Sequence, residues 1–301
     1  MNKKIMVLGG SGMLGASLTK WFARVEDVDT TVTTRTGAIP EGLERFSRDV
    51  VWSVLDADSA SIDSVARLIE GYDLVINAVG RIKQRIREGS LSDKEDTLRA
   101  NSLFPLTLAQ AAERSGTRVV QIATDCVYSG EKGAYVETDR HDATDLYGLS
   151  KSLGEVTSPH TINLRCSIVG FELASSFSLL NWFLHQERGA TIRGFTNHWW
   201  NGVTAMHFAR LCEGVMRSPA CAGFDTHVVP ADSVTKHDLL CAFARAFDRE
   251  DITIIPMEAD CAVDRRLATN RPSVNDSLWR AAGFELAPTI EQMVLELSEY
   301  A

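Results

Sequence analysis

The chain has 301 residues, 45% of them apolar and 24% charged, enough for one large α/β domain or a domain with a smaller companion. A formal net charge of −9 opposes general nucleic-acid binding yet leaves room for a local cationic pocket. The cysteines, Cys126, Cys166, Cys212, Cys221, Cys241 and Cys261, show no C-x-x-C spacing, so reduced thiols are expected, with no disulfide framework and no metal site. No apolar stretch approaches a membrane span, and the N-terminus enters a strand pattern with no signal-peptide layout. A cytoplasmic protein without a membrane partner is therefore expected.

In chain order, apolar β-type runs at 5–8, 30–34, 50–54, 74–77, 118–123 and 161–166 alternate with helical spacing at 12–24, 61–70, 97–115 and 147–156. This alternation predicts a doubly wound parallel sheet. After Gly170 the regularity fades. A helix is read at 177–187, an aromatic-rich loop at 194–202, a strand at 226–230, and helices at 234–247 and 289–300. The expected organisation is a nucleotide-binding domain over 1–168 and a smaller substrate-binding cap over 169–301, with about 224–250 returning to the sheet.

The first strand runs into GGSGMLG at 9–15, with Gly9, Gly12 and Gly15 opening a helix. Such glycines permit a tight turn and bring backbone amides to a pyrophosphate at the positive helix end. Ser11, Met13 and Leu14 complete the expected phosphate loop. The second strand ends in Arg35-Thr36 with no acid, and Asp29 lies at its other end. A cation there suits a 2′-phosphate, whereas NAD sites usually present a carboxylate, so NADPH is the expected cofactor. Ser53 and Val54 are expected under the adenine, and Asn77, Ala78 and Val79 against the cofactor ribose.

The fifth strand ends in ATDCVY at 123–128, and about twenty residues later comes DLYGLSKSLGE at 145–155. Reduction of a ketone requires a proton for the developing alkoxide. Tyr147 supplies it, Lys151 one turn later stabilises the phenolate, and Thr124 hydrogen-bonds the same oxygen.

These motifs, with Asn163-Leu-Arg165 and Arg271-Pro272, resemble an extended short-chain dehydrogenase/reductase of Rossmann type, and more closely the dTDP-4-dehydrorhamnose reductase group of nucleotide-sugar 4-ketoreductases. The resemblance implies Tyr147 as catalytic acid, Lys151 as its partner and Thr124 as carbonyl-oxygen donor. It also implies Asp125 facing the sugar, Cys166 beside the nicotinamide and Asn101 as the group's helix-four asparagine. Two departures stand out. Cys126 replaces a tyrosine, and the substrate-loop Pro-Thr appears as Gly202-Val-Thr204 behind Trp199 and Trp200.

The expected substrate-facing residues are Gln84, Asp125, Cys126, Asn181, Trp182, Trp200 and Asn201. Of Trp199 and Trp200, one is expected to fill the core. Arg81, Lys83, Arg85 and Arg87 either receive a diphosphate or form a solvated loop balanced by Asp93, Glu95 and Asp96. The leading expectation is NADPH-dependent reduction of a nucleotide-linked 4-keto-6-deoxy sugar for surface-polysaccharide synthesis, with a homodimer as the assembly considered. The alternatives are an epimerase-reductase using Cys126, with His185 as a candidate second group, and a non-catalytic NADP-binding regulatory subunit. Dehydratase chemistry is disfavoured, because Cys126 stands where such enzymes carry a glutamate.

Overall fold

Four consecutive residues buried on both faces make Leu74–Asn77 a central strand, and the same logic sets the other strands of the first half. The computed structural model describes residues 2–87, 89–218 and 226–300. Cys221 and the first two residues of the 224–250 stretch lie outside the described residues.

The first half runs β1 (Lys3–Leu8), α1 (Met13–Phe22), β2 (Val28–Thr34), β3 (Val51–Val54), α2 (Ile62–Ile69), β4 (Leu74–Asn77), α3 (Leu91–Leu98), α4 (Phe104–Ser115), β5 (Val119–Ala123), α5 (Leu146–Leu153) and β6 (Thr161–Arg165). The second half continues with β7 (Ile168–Val169), α6 (Leu179–Leu184), β8 (Thr191–Phe195), β9 (His198–Trp200), β10 (Val203–Thr204), α7 (Ala205–Arg217), β11 (Thr226–His227), β12 (Val234–Thr235), α8 (Lys236–Ala246), β13 (Thr253–Met257), β14 (Val263–Asp264), α9 (Pro272–Ala281) and α10 (Ile290–Ser298).

Seven strands form one parallel sheet in the order β11-β6-β5-β4-β1-β2-β3. Side chains alternate across it. Met6 and Leu8 of β1 pack with Val65, Ile69, Phe104 and Leu108 of α2 and α4, while Ile5 and Val7 face a larger core that takes in α1, α7, α8, α9 and α10. The strand order reverses between β1 and β4, which opens a crevice at their carboxyl ends.

Three departures from the sequence reading have physical causes. The helix expected over 97–115 begins earlier, at Leu91, and is interrupted by a π-helical turn over Arg99–Leu103. The aromatic stretch 194–202 is strand rather than loop: β8 pairs with β13, and β9 lies between β12 and β14. Helix α7 is absent from the sequence reading; ten of its thirteen residues are buried, and only Arg210, Glu213 and Arg217 mark a narrow polar stripe on its outer face.

Candidate functional site

At the end of β1, Gly10 donates to the Thr33 carbonyl (2.8 Å) and Gly12 to the Gly9 carbonyl (3.2 Å). A methyl on Gly15 would lie 2.1 Å from the Gly9 carbonyl oxygen, so only glycine lets α1 start this close to the strand. Gly12 caps α1 with no side-chain hydrogen bond, leaving first-turn amides without a cap. Those open donors, with Ser11 and Gly12 exposed and Leu14 buried behind them, fit a dinucleotide's pyrophosphate. A methyl on Gly170 would lie 3.7 Å from the Met13 side chain, which places the two side by side. A methyl on Gly9 would lie 3.1 Å from Val79, so Val79 borders this turn, with Ala78 half-buried before it. The Asn77 amide is fully buried, donating to Gln121 (2.7 Å) and accepting the Val79 amide (3.1 Å), so it shapes the turn and leaves contact there to the backbone.

Arg35 follows β2 and is exposed, 3.6 Å from Asp56 and 3.5 Å from Asp58 just beyond β3. The guanidinium expected at a 2′-phosphate is thus shared with two carboxylates. Ser53 is half-buried and Val54 exposed on the neighbouring strand end.

The chemistry-bearing residues converge beyond β5. Thr124 donates to Asp125 (3.2 Å) and accepts the Cys126 amide (3.2 Å), capping a single 3-10 turn. Asp145 caps α5 by accepting the Tyr147 and Gly148 amides (3.1 and 3.2 Å). A methyl on Gly148 would lie 2.4 Å from the Cys126 carbonyl oxygen, so this glycine sets α5 directly against the Thr124 turn. Burial raises the Tyr147 phenol above its usual range, reinforced by Cys126, while the Thr124 hydroxyl bonded to it acts in the opposite direction. Lys151 is buried and donates to the Ile122 carbonyl (2.8 Å). Burial lowers its amine to about 8 against the pull of Glu155. Glu155 itself is paired with buried Arg165.

Asn101 sits in the π-helical turn, accepting the Arg81 amide (2.8 Å) and donating to the Arg81 carbonyl (3.0 Å) and the Ser150 hydroxyl (3.1 Å). It ties the loop after β4 to α5. Two further amides expected at the substrate are likewise occupied on backbone. Asn181 holds Glu172 and Ser175, and Asn201 pairs with both backbone groups of Leu267 (2.7 and 2.9 Å). Trp200 is the core tryptophan, 3% exposed, its indole donating to Ser167 (2.8 Å); Trp199 is half exposed under the Arg266 guanidinium. Trp182 and Gln84 are exposed, and Cys166 is buried at the end of β6. Arg81 and Arg87 both pair with buried Asp93, and Lys83 with Asp145, so most of the basic loop is internally balanced.

Burial pushes the Cys126 thiol up to about 12, seconded by Asp125. Asp125 is raised by burial and opposed by Arg265 and Lys236. These two cations had no signal in the sequence. Lys236 follows β12 and Arg265 follows β14, and only the pairing of both strands with β9 carries them to the site. His185, by contrast, hydrogen-bonds the Asn181 carbonyl (2.7 Å) and is not among the groups acting on Cys126.

The family model described as "RmlD substrate binding domain" matches residues 3–273. A dTDP-4-dehydrorhamnose reductase of Burkholderia thailandensis is 30% identical over 161 residues, 52% of this chain and 46% of that protein. The chain spans about half the length of the curated relatives it matches. Among solved structures, a Bacillus anthracis dTDP-4-dehydrorhamnose reductase in complex with NADP superposes with a TM-score of 0.74 at 15% identity, covering 100% of this chain and 99% of that one. MoeE5 in complex with UDP-glucose and NAD does so at 0.74 and 15%, covering 99% and 98%.

Proposed function

The chain belongs to the RmlD substrate-binding domain family, and from that premise we propose that it is a cytoplasmic NADPH-dependent reductase of the 4-keto group of a nucleotide-linked 6-deoxy sugar, serving surface-polysaccharide synthesis. The observation that carries this reading is the seating of α5, with the buried Tyr147 phenol and the buried Lys151 amine one turn later, directly against the turn that Thr124 caps. The names of the curated relatives and the NADP of the Bacillus anthracis structure support it.

When bound, the reduced nicotinamide supplies the hydride. The chain's own residues handle the oxygen. Thr124 holds the carbonyl, and Tyr147, kept protonated by burial, delivers its proton as negative charge develops there. Lys151 stabilises the resulting phenolate, and its amine keeps protons free to reach ribose hydroxyls after one is donated to Ile122. Arg35, Ser53 and Val54 would line the adenosine end, and Ser11, Gly12, Met13 and Leu14 the pyrophosphate. Cys126, held as a thiol, is unsuited to remove ring protons, which favours reduction without epimerisation.

The test is NADPH consumption with a panel of UDP-, GDP-, dTDP- and CDP-linked 4-keto sugars, with no partner protein present. Turnover is expected for at least one, and Tyr147→Phe should lower it by about two to four decades while NADPH still binds. Full turnover in Tyr147→Phe would place the proton elsewhere, and no turnover by the unmodified protein on any of them would remove the reductase reading.

A further inference from the structure

Among the described residues, two half-buried cations, Lys236 with no hydrogen-bond acceptor and Arg265 with one for its Nε alone, face the turn that carries the reactive threonine. Lys236 is the first residue of α8, with its amine 5.4 Å over the Trp200 ring. Among the described residues no acceptor lies within hydrogen-bond distance of that amine. Arg265 anchors its Nε on the Tyr128 carbonyl (2.8 Å), leaving its terminal nitrogens without an acceptor among the described residues. Both act electrostatically on Asp125 and Cys126, the two residues after Thr124, and Arg265 also acts on Asp145 at the start of α5. Trp200 is itself fixed by its bond to Ser167, so the surface beneath Lys236 is rigid.

Both cations are half-buried, so their charged ends are partly shielded from water while open to an incoming anion. Asp125 is the one carboxylate acting on Lys236, and it serves two cations; burial moreover disfavours its ionised form. Burial lowers the Lys236 amine to about 8, against the pull of Asp125. On that side of the turn two cations therefore share Asp125.

Building on the reductase reading, we propose that Lys236, assisted by Arg265, receives an oxyanion of the substrate close to the reacting carbonyl and so decides which nucleotide sugars are accepted. The oxyanion is either a carboxylate on the sugar or the sugar-proximal phosphate of the diphosphate. A neutral 6-deoxy sugar offers only the second.

Lys236→Met keeps the aliphatic stem on Trp200 and removes the charge, while Lys236→Arg restores charge. Dissociation constants of UDP, dTDP, UDP-glucose and UDP-glucuronate would be measured with NADPH present, alongside that of NADPH alone. Lys236→Met should weaken its ligands by roughly 10- to 100-fold, the scale of a charge-assisted contact. Lys236→Arg should recover most of the affinity, and NADPH should bind all forms equally. Equal weakening of free nucleoside diphosphates and nucleotide sugars would support the phosphate. Weakening confined to UDP-glucuronate would support the sugar carboxylate. Unaltered affinity for ligands that the unmodified protein does bind would overturn the proposal and leave the reductase reading intact; binding of none of the four by the unmodified protein would also overturn it, while turnover on the UDP-, GDP-, dTDP- and CDP-linked panel decides the reductase reading separately. Should Lys236→Met fail to fold, Arg265→Gln gives the same comparison.

Discussion

Gly148→Ala tests whether the seat of α5 on the Thr124 turn is what places the tyrosine. The added methyl would lie 2.4 Å from the Cys126 carbonyl oxygen and 2.5 Å from the Ala143 Cβ, both below the 3.0 Å that real Cβ contacts respect. Neither neighbour is a flexible side-chain end, so α5 must back away by at least about 0.6 Å. Overpacking of this kind costs about 1–3 kcal/mol, offset by about 0.5–1 kcal/mol for replacing a helical glycine. At about 2–4 °C per kcal/mol for a chain somewhat smaller than this one, the melting temperature should fall by up to about 10 °C. Tyr147 precedes Gly148 on the same helix and moves with it. A displacement near 1 Å at a reacting group costs up to about 100-fold, so a loss of about 10- to 100-fold in turnover is expected. Thermal melts and initial rates of NADPH oxidation read the two effects. Leu149→Ala, on the exposed side of α5, serves as the control that should change neither. Unchanged melting and turnover in Gly148→Ala would refute the close-packing argument. Lower melting with full turnover would show that tyrosine placement does not depend on it.

Reductase kcat/KM should fall as pH rises through about 8. The Lys151 amine, lowered by burial, is charged below that value and neutral above it, whereas the raised Tyr147 phenol keeps its proton throughout; a profile flat from pH 6 to 9.5 would contradict this. Arg35→Ala should erase most of any preference for NADPH over NADH, by about tenfold, the low end for a charge-assisted contact because the guanidinium is exposed and shared. Asp56→Asn should move the preference the other way, and equal cofactor affinities in the unmodified protein would dismiss the assignment. Turnover in deuterated water should leave no deuterium at C3 or C5 of the product; deuterium there that disappears in Cys126→Ser would establish epimerisation.

The sheet and its order of motifs were legible because they rest on local rules. Strands buried on both faces read as apolar runs, and a tight turn into α1 needs glycine whatever lies elsewhere in the chain. Even there, local spacing misjudged the emphasis. Gly12 would tolerate a methyl with only an ordinary contact, whereas Gly10 and Gly15 would not. What only the tertiary structure decided is which polar side chains remain available. Asn77, Asn101, Asn181 and Asn201 have the chemistry of ligand donors, but their amides are taken by backbone or side-chain partners, and for Asn201 that partner lies 66 residues away. Trp200 rather than Trp199 entered the core because β9 is paired on both sides and its alternate residue faces inward. Lys236 and Arg265 reach the turn after Thr124 through strand pairings made more than a hundred residues downstream of it. A sequence displays the charge and hydrogen-bonding capacity of each side chain. The partner that uses up or leaves free that capacity is set by packing between distant segments, and local periodicity carries no information about it.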